Sequence, residues 1–442
     1  MKFKKVIGQI HLFLGLTSGL VVLILGITGS LYAYIDEISE LVYADKIKIE
    51  SRTDTDSDLL SQNMLTAQKA LGSDTLIQRI TIQNDPEKSI VFRSFKLDNE
   101  ASGIWYWDQI EFNIWLYMNP YTSDILKIED QTIEFFNIVF WLHWSLLLKD
   151  CVGQPIVGSA TLIFIFMLIT GLILWWPKNK KARKMSTWFR WKETTKWRRK
   201  NYDLHNIVGF YSMFLVVFIA LTGLMWAFTW FDSGVQWISN GGKTIKKEKL
   251  EVLSNPTSLA SLHPLDAAYH YLRRTHPEAK VFYLNIPKES TGTIGSFVDY
   301  ADNRKDIFLQ FDQYNGELLH AGGGWEEKSN GEKVRAYNYD IHTGAIGGLV
   351  GKTIAFFLSL FSASLPVTGF IIWYDREKKK RRLKRIGGTG EAKKIEEDYR
   401  EGVCGSTSGR TIPNPKPKIS RRSVKESSEN NGSVLTSNST KI

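Results

Sequence analysis

Long apolar runs, separated by stretches of alternating or mixed character, organise the chain. Residues 10–35 are apolar apart from His11 and a few Thr and Ser. A run of about 25 residues is enough for a helix across a hydrocarbon core of about 30 Å. It exceeds the apolar part of a cleaved signal peptide, about 7–15 residues, so an uncleaved anchor is expected. Residues 134–176 hold a helix-like piece, Phe135–Leu148, a polar break at Lys149-Asp150, and a second span from Ile156 to Trp176. Two more spans are expected at 204–230 and 342–374, the last with Pro366 placed to bend it. Between spans, residues 36–133 and 231–341 each carry a helix-like stretch, Leu59–Leu71 and Pro264–Thr275. Alternating runs follow, such as Ser89–Phe95 and Gly295–Tyr300, and then turn segments at 119–124 and 312–317. The expected fold class is an α-helical membrane protein: four transmembrane helices in a duplicated arrangement, with two small extracytoplasmic α+β domains.

Charge sets the direction of threading. The net charge is +10, and the basic residues are clustered. Three Lys fall in residues 2–5, eleven Lys or Arg in 177–203 and eight in 376–385, whereas 36–134 carries nineteen acids against nine bases. Each basic cluster abuts the end of an apolar run, so membrane topology explains it better than nucleic-acid binding does. Four spans place residues 1–9, the loop 177–203 and the tail 375–442 on the cytoplasmic side. The tail beyond 386 lacks apolar periodicity and reads as disordered. Fifteen Trp suit a protein with two membrane interfaces, and Trp175, Trp176, Trp226, Trp230 and Trp373 fall at span ends. Two Cys, Cys151 and Cys404, supply neither a disulfide framework nor a Cys-x-x-Cys-His haem attachment.

The spans repeat one another. His11 precedes Thr28-Gly29 by 17 residues, and His205 precedes Thr222-Gly223 by 17. His143 and His342 lie 27 and 26 residues before Thr170-Gly171 and Thr368-Gly369. The Thr-Gly pairs read as helix-packing positions. Threading puts His11 and His205 at the cytoplasmic face and His143 and His342 at the outer face, two pairs at two depths. A bis-His haem hung between helices needs one His from each at equal depth. Gly15, Gly29, Gly209 and Gly223 would let a flat macrocycle approach the backbone, and Gly344, Gly347, Gly348 and Gly351 would do so beside His342. The pattern Asn-Tyr-Asp-x-His occurs at 201–205 and 338–342. Asp203 and Asp340 there are either helix caps or partners that orient the imidazole. Spacing alone also allows four idle polar end-groups copied by duplication. His263, His270, His276 and His320 read as solvated surface. Trp105, Trp107, Trp115 and Trp325 read as domain core or as substrate surface. No phosphate-binding glycine loop, His-Glu-x-x-His helix or nucleophile elbow occurs. Electrons would have to come from membrane quinol or a cytoplasmic reductase.

Several segments together resemble the PepSY-associated transmembrane family of bacterial inner-membrane proteins. They are His11-x-x-x-Gly15-Leu16 with Thr28-Gly29-Ser30-Leu31, Leu142-His143-x-Ser145-Leu146-Leu147, Thr170-Gly171 through Trp176-Pro177, Tyr202-Asp203-Leu204-His205-Asn206-x-x-Gly209, and His342-Thr343-Gly344. The resemblance runs from about residue 5 to 380. It implies a PepSY domain-containing, iron-regulated protein of the ferri-siderophore reductase type with two periplasmic domains. It further implies two non-covalent b-type haems whose axial ligands would be His11, His205, His143 and His342, and a ferric siderophore or other ferric chelate as substrate. Trp144 departs from the pattern, since many relatives have Arg after that His, which bears on how a haem propionate is held. Two other classes remain open: a transporter moving a chelate or peptide without redox chemistry, and a PepSY-type binding or regulatory module.

Overall fold

The computed structural model describes residues 2–50, 59–98, 100–177, 179–180, 186–245, 251–256 and 262–386. The tail from 387 onward, with Cys404, lies outside the described residues. Helix α1 runs from Lys2 to Tyr32, and two short helices, α2 (Ile35–Val42) and α3 (Ala44–Ile47), lead to the extramembrane part. There α4 (Leu60–Leu71) precedes four strands, β1 (Arg79–Gln83), β2 (Ile90–Leu97), β3 (Ile110–Met118) and β4 (Ile125–Asp130). The chain returns through α5 (Phe135–Ser145) and α6 (Asp150–Trp175). The break between them is sharper than the polar residues alone require. Leu146 and Leu147 both take left-handed backbone angles, φ 57° and 63°. A side chain at Gly153 would meet the Ser145 carbonyl oxygen at 2.0 Å, so only glycine lets α6 start against the end of α5.

The second half again runs from a span through a helix and four strands to a span, with a different set of short helices between them. Helix α7 (Trp197–Asp203) passes through a π-helical turn, Leu204–Val208, into α8 (Gly209–Ala227), and α9 (Thr229–Ser239) follows. Helix α10 (Pro264–Thr275) then precedes β5 (Val281–Asn285), β6 (Thr293–Asp299), β7 (Ile307–Asp312) and β8 (Leu318–Gly322). Two short helices, α11 (Asn330–Ala336) and α12 (Asn338–Thr343), lead into α13 (Gly348–Ile386), which continues unbroken through Pro366. Among the described residues, four helical stretches are long and apolar enough to cross a membrane: Phe3–Tyr32, Asp150–Trp175, Trp197–Ala227 and Ala345–Arg385.

The two extramembrane segments do not form separate domains. Their strands make one eight-stranded antiparallel sheet in the order β4-β3-β2-β1-β5-β6-β7-β8. The join is β1 against β5, with Arg79 opposite Asn285 and Gln83 opposite Val281. Both strands alternate, so joining them lines Ile80, Ile82, Phe282 and Leu284 along one face with Phe92, Leu116, Val298 and Phe311, in a single core under α4 and α10. Asp266 of α10 reinforces the join: its carboxylate accepts from the backbone N–H (2.8 Å) and hydroxyl (2.5 Å) of Ser61 in the first turn of α4. In the bundle, α1 packs closely on α13. A Cβ at Gly26 would lie 2.6 Å from the Ser359 carbonyl oxygen and 2.8 Å from Ala363.

Paired histidines in two cavities of the bundle

Four imidazoles meet in two couples. The rings of His11 (α1) and His205 (the π-helical turn) have centroids 6.5 Å apart at 85°, at the bundle end far from the sheet. Those of His143 (α5) and His342 (α12) are 6.1 Å apart at 68°, at the sheet end. Two imidazoles ligating one metal from opposite sides, each through a nitrogen about 2.0 Å from it, have centroids about 6.3 Å apart. The observed spacings bracket that value.

Threonine fixes which nitrogen each ring presents. The Nδ1 atoms of His11, His143, His205 and His342 lie 2.9, 3.0, 2.9 and 3.0 Å from the hydroxyl oxygens of Thr170, Thr28, Thr368 and Thr222. Each hydroxyl already donates to the carbonyl four residues earlier, at 3.0, 2.7, 2.8 and 3.0 Å in the same order. The threonine oxygen must therefore accept, and the ring must carry its proton on Nδ1. In the sheet-side couple a carbonyl says the same: Leu25 O lies 3.1 Å from Nδ1 of His143, and Ile219 O 3.0 Å from that of His342. Carbonyls only accept. Every Nε2 is thus left with a bare lone pair and, among the described residues, no hydrogen-bond partner, as a metal ligand requires.

The Thr-Gly pairs are consequently more than packing positions. Each seats a histidine ring from the neighbouring helix. A Cβ at Gly29, Gly171, Gly223 or Gly369 would stand 3.0, 3.5, 3.4 or 3.2 Å from the Cε1 of His143, His11, His342 or His205. The Asn-Tyr-Asp-x-His pattern also acts differently from expectation. Asp203 takes Trp191 and Arg199, and Asp340 takes the Asn303 amide, so neither caps a helix at the site or touches a histidine. Asn does the work instead. Asn201 donates to the Thr368 carbonyl (3.0 Å) and Asn338 to the Thr222 carbonyl (3.1 Å), the same threonines that hold His205 and His342. Residues four apart on one helical face clamp one residue of the partner helix.

Each couple opens on a cavity. The far-side cavity, about 940 Å³, is lined by Gly15 and Gly209 beside the histidines, with the cations Lys4, Lys5, Arg376 and Lys380. The sheet-side cavity, about 370 Å³, holds Gly29 and Gly223 but no Lys or Arg. Its polar groups include Tyr32, Tyr339 and Gln154. Trp144 lines it too, donating from its indole to Asp150 at 3.1 Å and stacking on Phe140. Both volumes fall in the ordinary range for small-molecule sites, about 300–1,000 Å³. Gly344 and Gly351 do not line it, because they pack on each other's backbone. Val22 and Phe164 border both cavities, and with Leu168, Val216 and Leu358 they form an apolar layer drawn from all four spans.

The remaining candidates sit elsewhere. His263 caps α10, accepting from the Leu265 N–H at 3.3 Å, and His276 pairs with the Tyr300 hydroxyl at 2.7 Å. His270 stays exposed. Trp105, Trp107, Trp115 and Trp325 are all outside the sheet core. No curated protein matches the chain. Its residues 9–376 match the family described as the PepSY-associated TM region, and this membrane protein belongs to that family.

Proposed function

We propose that the chain carries electrons across the bacterial inner membrane to reduce ferric iron, siderophore-bound, on the sheet side. Two b-type haems would be its cofactors, one between His11 and His205 and one between His143 and His342. Held by those imidazoles, the haems would supply one-electron transfer. The observation that carries the reading is the Thr-fixed orientation of four imidazoles in two couples whose spacing suits opposed ligation.

Each part of the chain has a task in this reading. Lys4, Lys5, Arg376 and Lys380 would pair with the propionates of the far-side group. Tyr32, Tyr339 and Gln154 would have to do so by neutral hydrogen bonds on the sheet side. The apolar layer of Val22, Phe164 and their neighbours separates the two cavities, and the 17 helical residues from His11 to Thr28 set the couples about 25 Å apart along α1. That layer also argues against a path for a solute. Basic clusters flank the far-side couple, so by the positive-inside rule the N- and C-termini would lie in the cytoplasm and the sheet in the periplasm. The electron donor would be membrane quinol or a cytoplasmic reductase. At the outer face, reduction loosens the chelate, because hard oxygen ligands hold ferrous iron less firmly than ferric.

A reduced-minus-oxidised spectrum with haem quantitation tests this on wild type and His205→Ala. Two haems per chain are expected to fall to one. A purified wild-type protein with no Soret band would end the proposal.

A further inference from the structure

The sheet face opposite α4 and α10 carries a row of cross-strand neighbours: Trp115, Arg93, Arg79 and Asn285 on β3, β2, β1 and β5. Two arginines directly opposite each other repel, an arrangement that sheets avoid unless acids intervene. None does here. Among the described residues neither has a carboxylate partner: Arg79 donates to the neutral Asn285 amide oxygen at 2.8 Å, and the Arg93 guanidinium lies 3.8 Å over the Trp115 ring. Glu129, next in the row, is engaged by Lys46 and Lys127. The Nε of Arg93 is buried without any hydrogen-bond partner. Burial, with Arg79 adding to it, holds the Arg93 guanidinium down to about 10, which still leaves it charged at neutral pH. A half-buried cation with no carboxylate partner among the described residues costs stability, so the geometry points to an anion supplied from outside.

The neighbouring row tells what else that anion carries. Thr81 faces Tyr283, Tyr283 faces Phe297 and Phe297 faces Phe308. Phe297 and Phe308 are each 38% exposed, although both are large and apolar. The Tyr283 and Phe297 rings lie 6.2 Å apart. Tyr283 is also within electrostatic reach of Tyr339, which lines the sheet-side cavity.

We propose that Arg93 and Arg79, with Trp115 behind and Tyr283 and Phe297 alongside, form the site for the electron acceptor. It takes a ferric chelate of net negative charge with aromatic ligand faces, the catecholate class, in preference to neutral hydroxamate complexes. Calling the ligand an acceptor rests on the reductase reading; the anion site does not.

Gallium(III) complexes separate the two, because gallium has ferric charge and size but does not accept an electron. The full chain in detergent is titrated by calorimetry with a trianionic gallium tris-catecholate and a neutral gallium tris-hydroxamate. The catecholate complex is expected to bind about tenfold or more tightly than the neutral one, and to weaken as salt rises. Arg93→Gln and Arg79→Gln should each weaken it about tenfold or more, and Arg93→Lys should recover only part, lacking the planar fork. Arg79 is exposed, so its variant keeps the test alive should Arg93→Gln not fold. Equal binding of both complexes, or wild-type affinity in Arg79→Gln, overturns the site. If gallium binding follows this pattern but the ferric complex is never reduced, the site stands and the reductase reading falls. Reduction that is indifferent to chelate charge and to Arg79→Gln sinks the site alone.

Discussion

Thr170 donates its hydroxyl to the Phe166 carbonyl and accepts from His11, and among the described residues no backbone carbonyl backs up that ring. His143 differs, because Leu25 O backs up Thr28. The two threonines should therefore respond unequally to the isosteric change to valine. Thr170→Val frees the His11 ring to turn or to shift its proton, and is expected to weaken cofactor retention at the far-side couple by about 10- to 100-fold. Thr28→Val should cost clearly less at the sheet-side couple. Cofactor content per chain after graded dilution measures both, and equal losses would refute the carbonyl's role. The histidines were legible in the sequence because four of eight lie at span ends. Their threonines were readable in principle. Antiparallel spans put a residue near the end of one helix level with a residue near the start of the next, so 28 meets 143 and 170 meets 11. Thr-Gly is so common a packing pair in membranes that its second role was hidden. Asn201 and Asn338 were hidden by their neighbours, Asp203 and Asp340, whose chemistry is the more familiar one beside a ligating histidine.

Among the elements, the apolar layer across the middle of the bundle is the most consequential. Phe164 of α6 is its bulkiest member, and it borders both cavities. Phe164→Ala removes a ring where nothing can collapse to replace it, and costs about 3–5 kcal/mol if the space stays empty. We expect the two cavities to become continuous and the protein, in liposomes, to leak protons measurably with a pH-sensitive dye. Unchanged permeability would show that other side chains seal the bundle. The spans themselves were plain from apolar run length, since length decides what can cross a bilayer. Their boundaries were not. Helix α6 begins at Asp150 rather than near Ile156, because the left-handed break at Leu146-Leu147 and the contact at Gly153 set the start, and neither leaves a hydropathy signal.

At the scale of the whole molecule, the join between β1 and β5 makes one sheet from segments some two hundred residues apart in sequence. Such pairing has no local signature, so two domains were the natural expectation. A faint sign existed in what is missing. Neither Arg79–Gln83 nor Val281–Asn285 carries the Lys or Pro with which free edges are blunted; of the two true edges β4 has Lys127, Glu129 and Asp130, while β8, Leu318–Gly322, has none of these devices. Thr81→Pro at the centre of β1 should break ladder bonds in a strand paired on both sides. Hydrogen exchange is expected to quicken together in 79–130 and 281–322; protection lost only in the first segment would argue for independent halves. The threonine and asparagine contacts join spans one to two and three to four, but each histidine couple draws one ring from either half. A nascent chain can therefore orient its first two rings early, the third span brings His205 to His11, and only the last part of the chain supplies His342 and the Thr368 that fixes His205. Any group shared by both rings of a couple would therefore have to be taken up late in insertion, once both halves of the bundle are in the membrane.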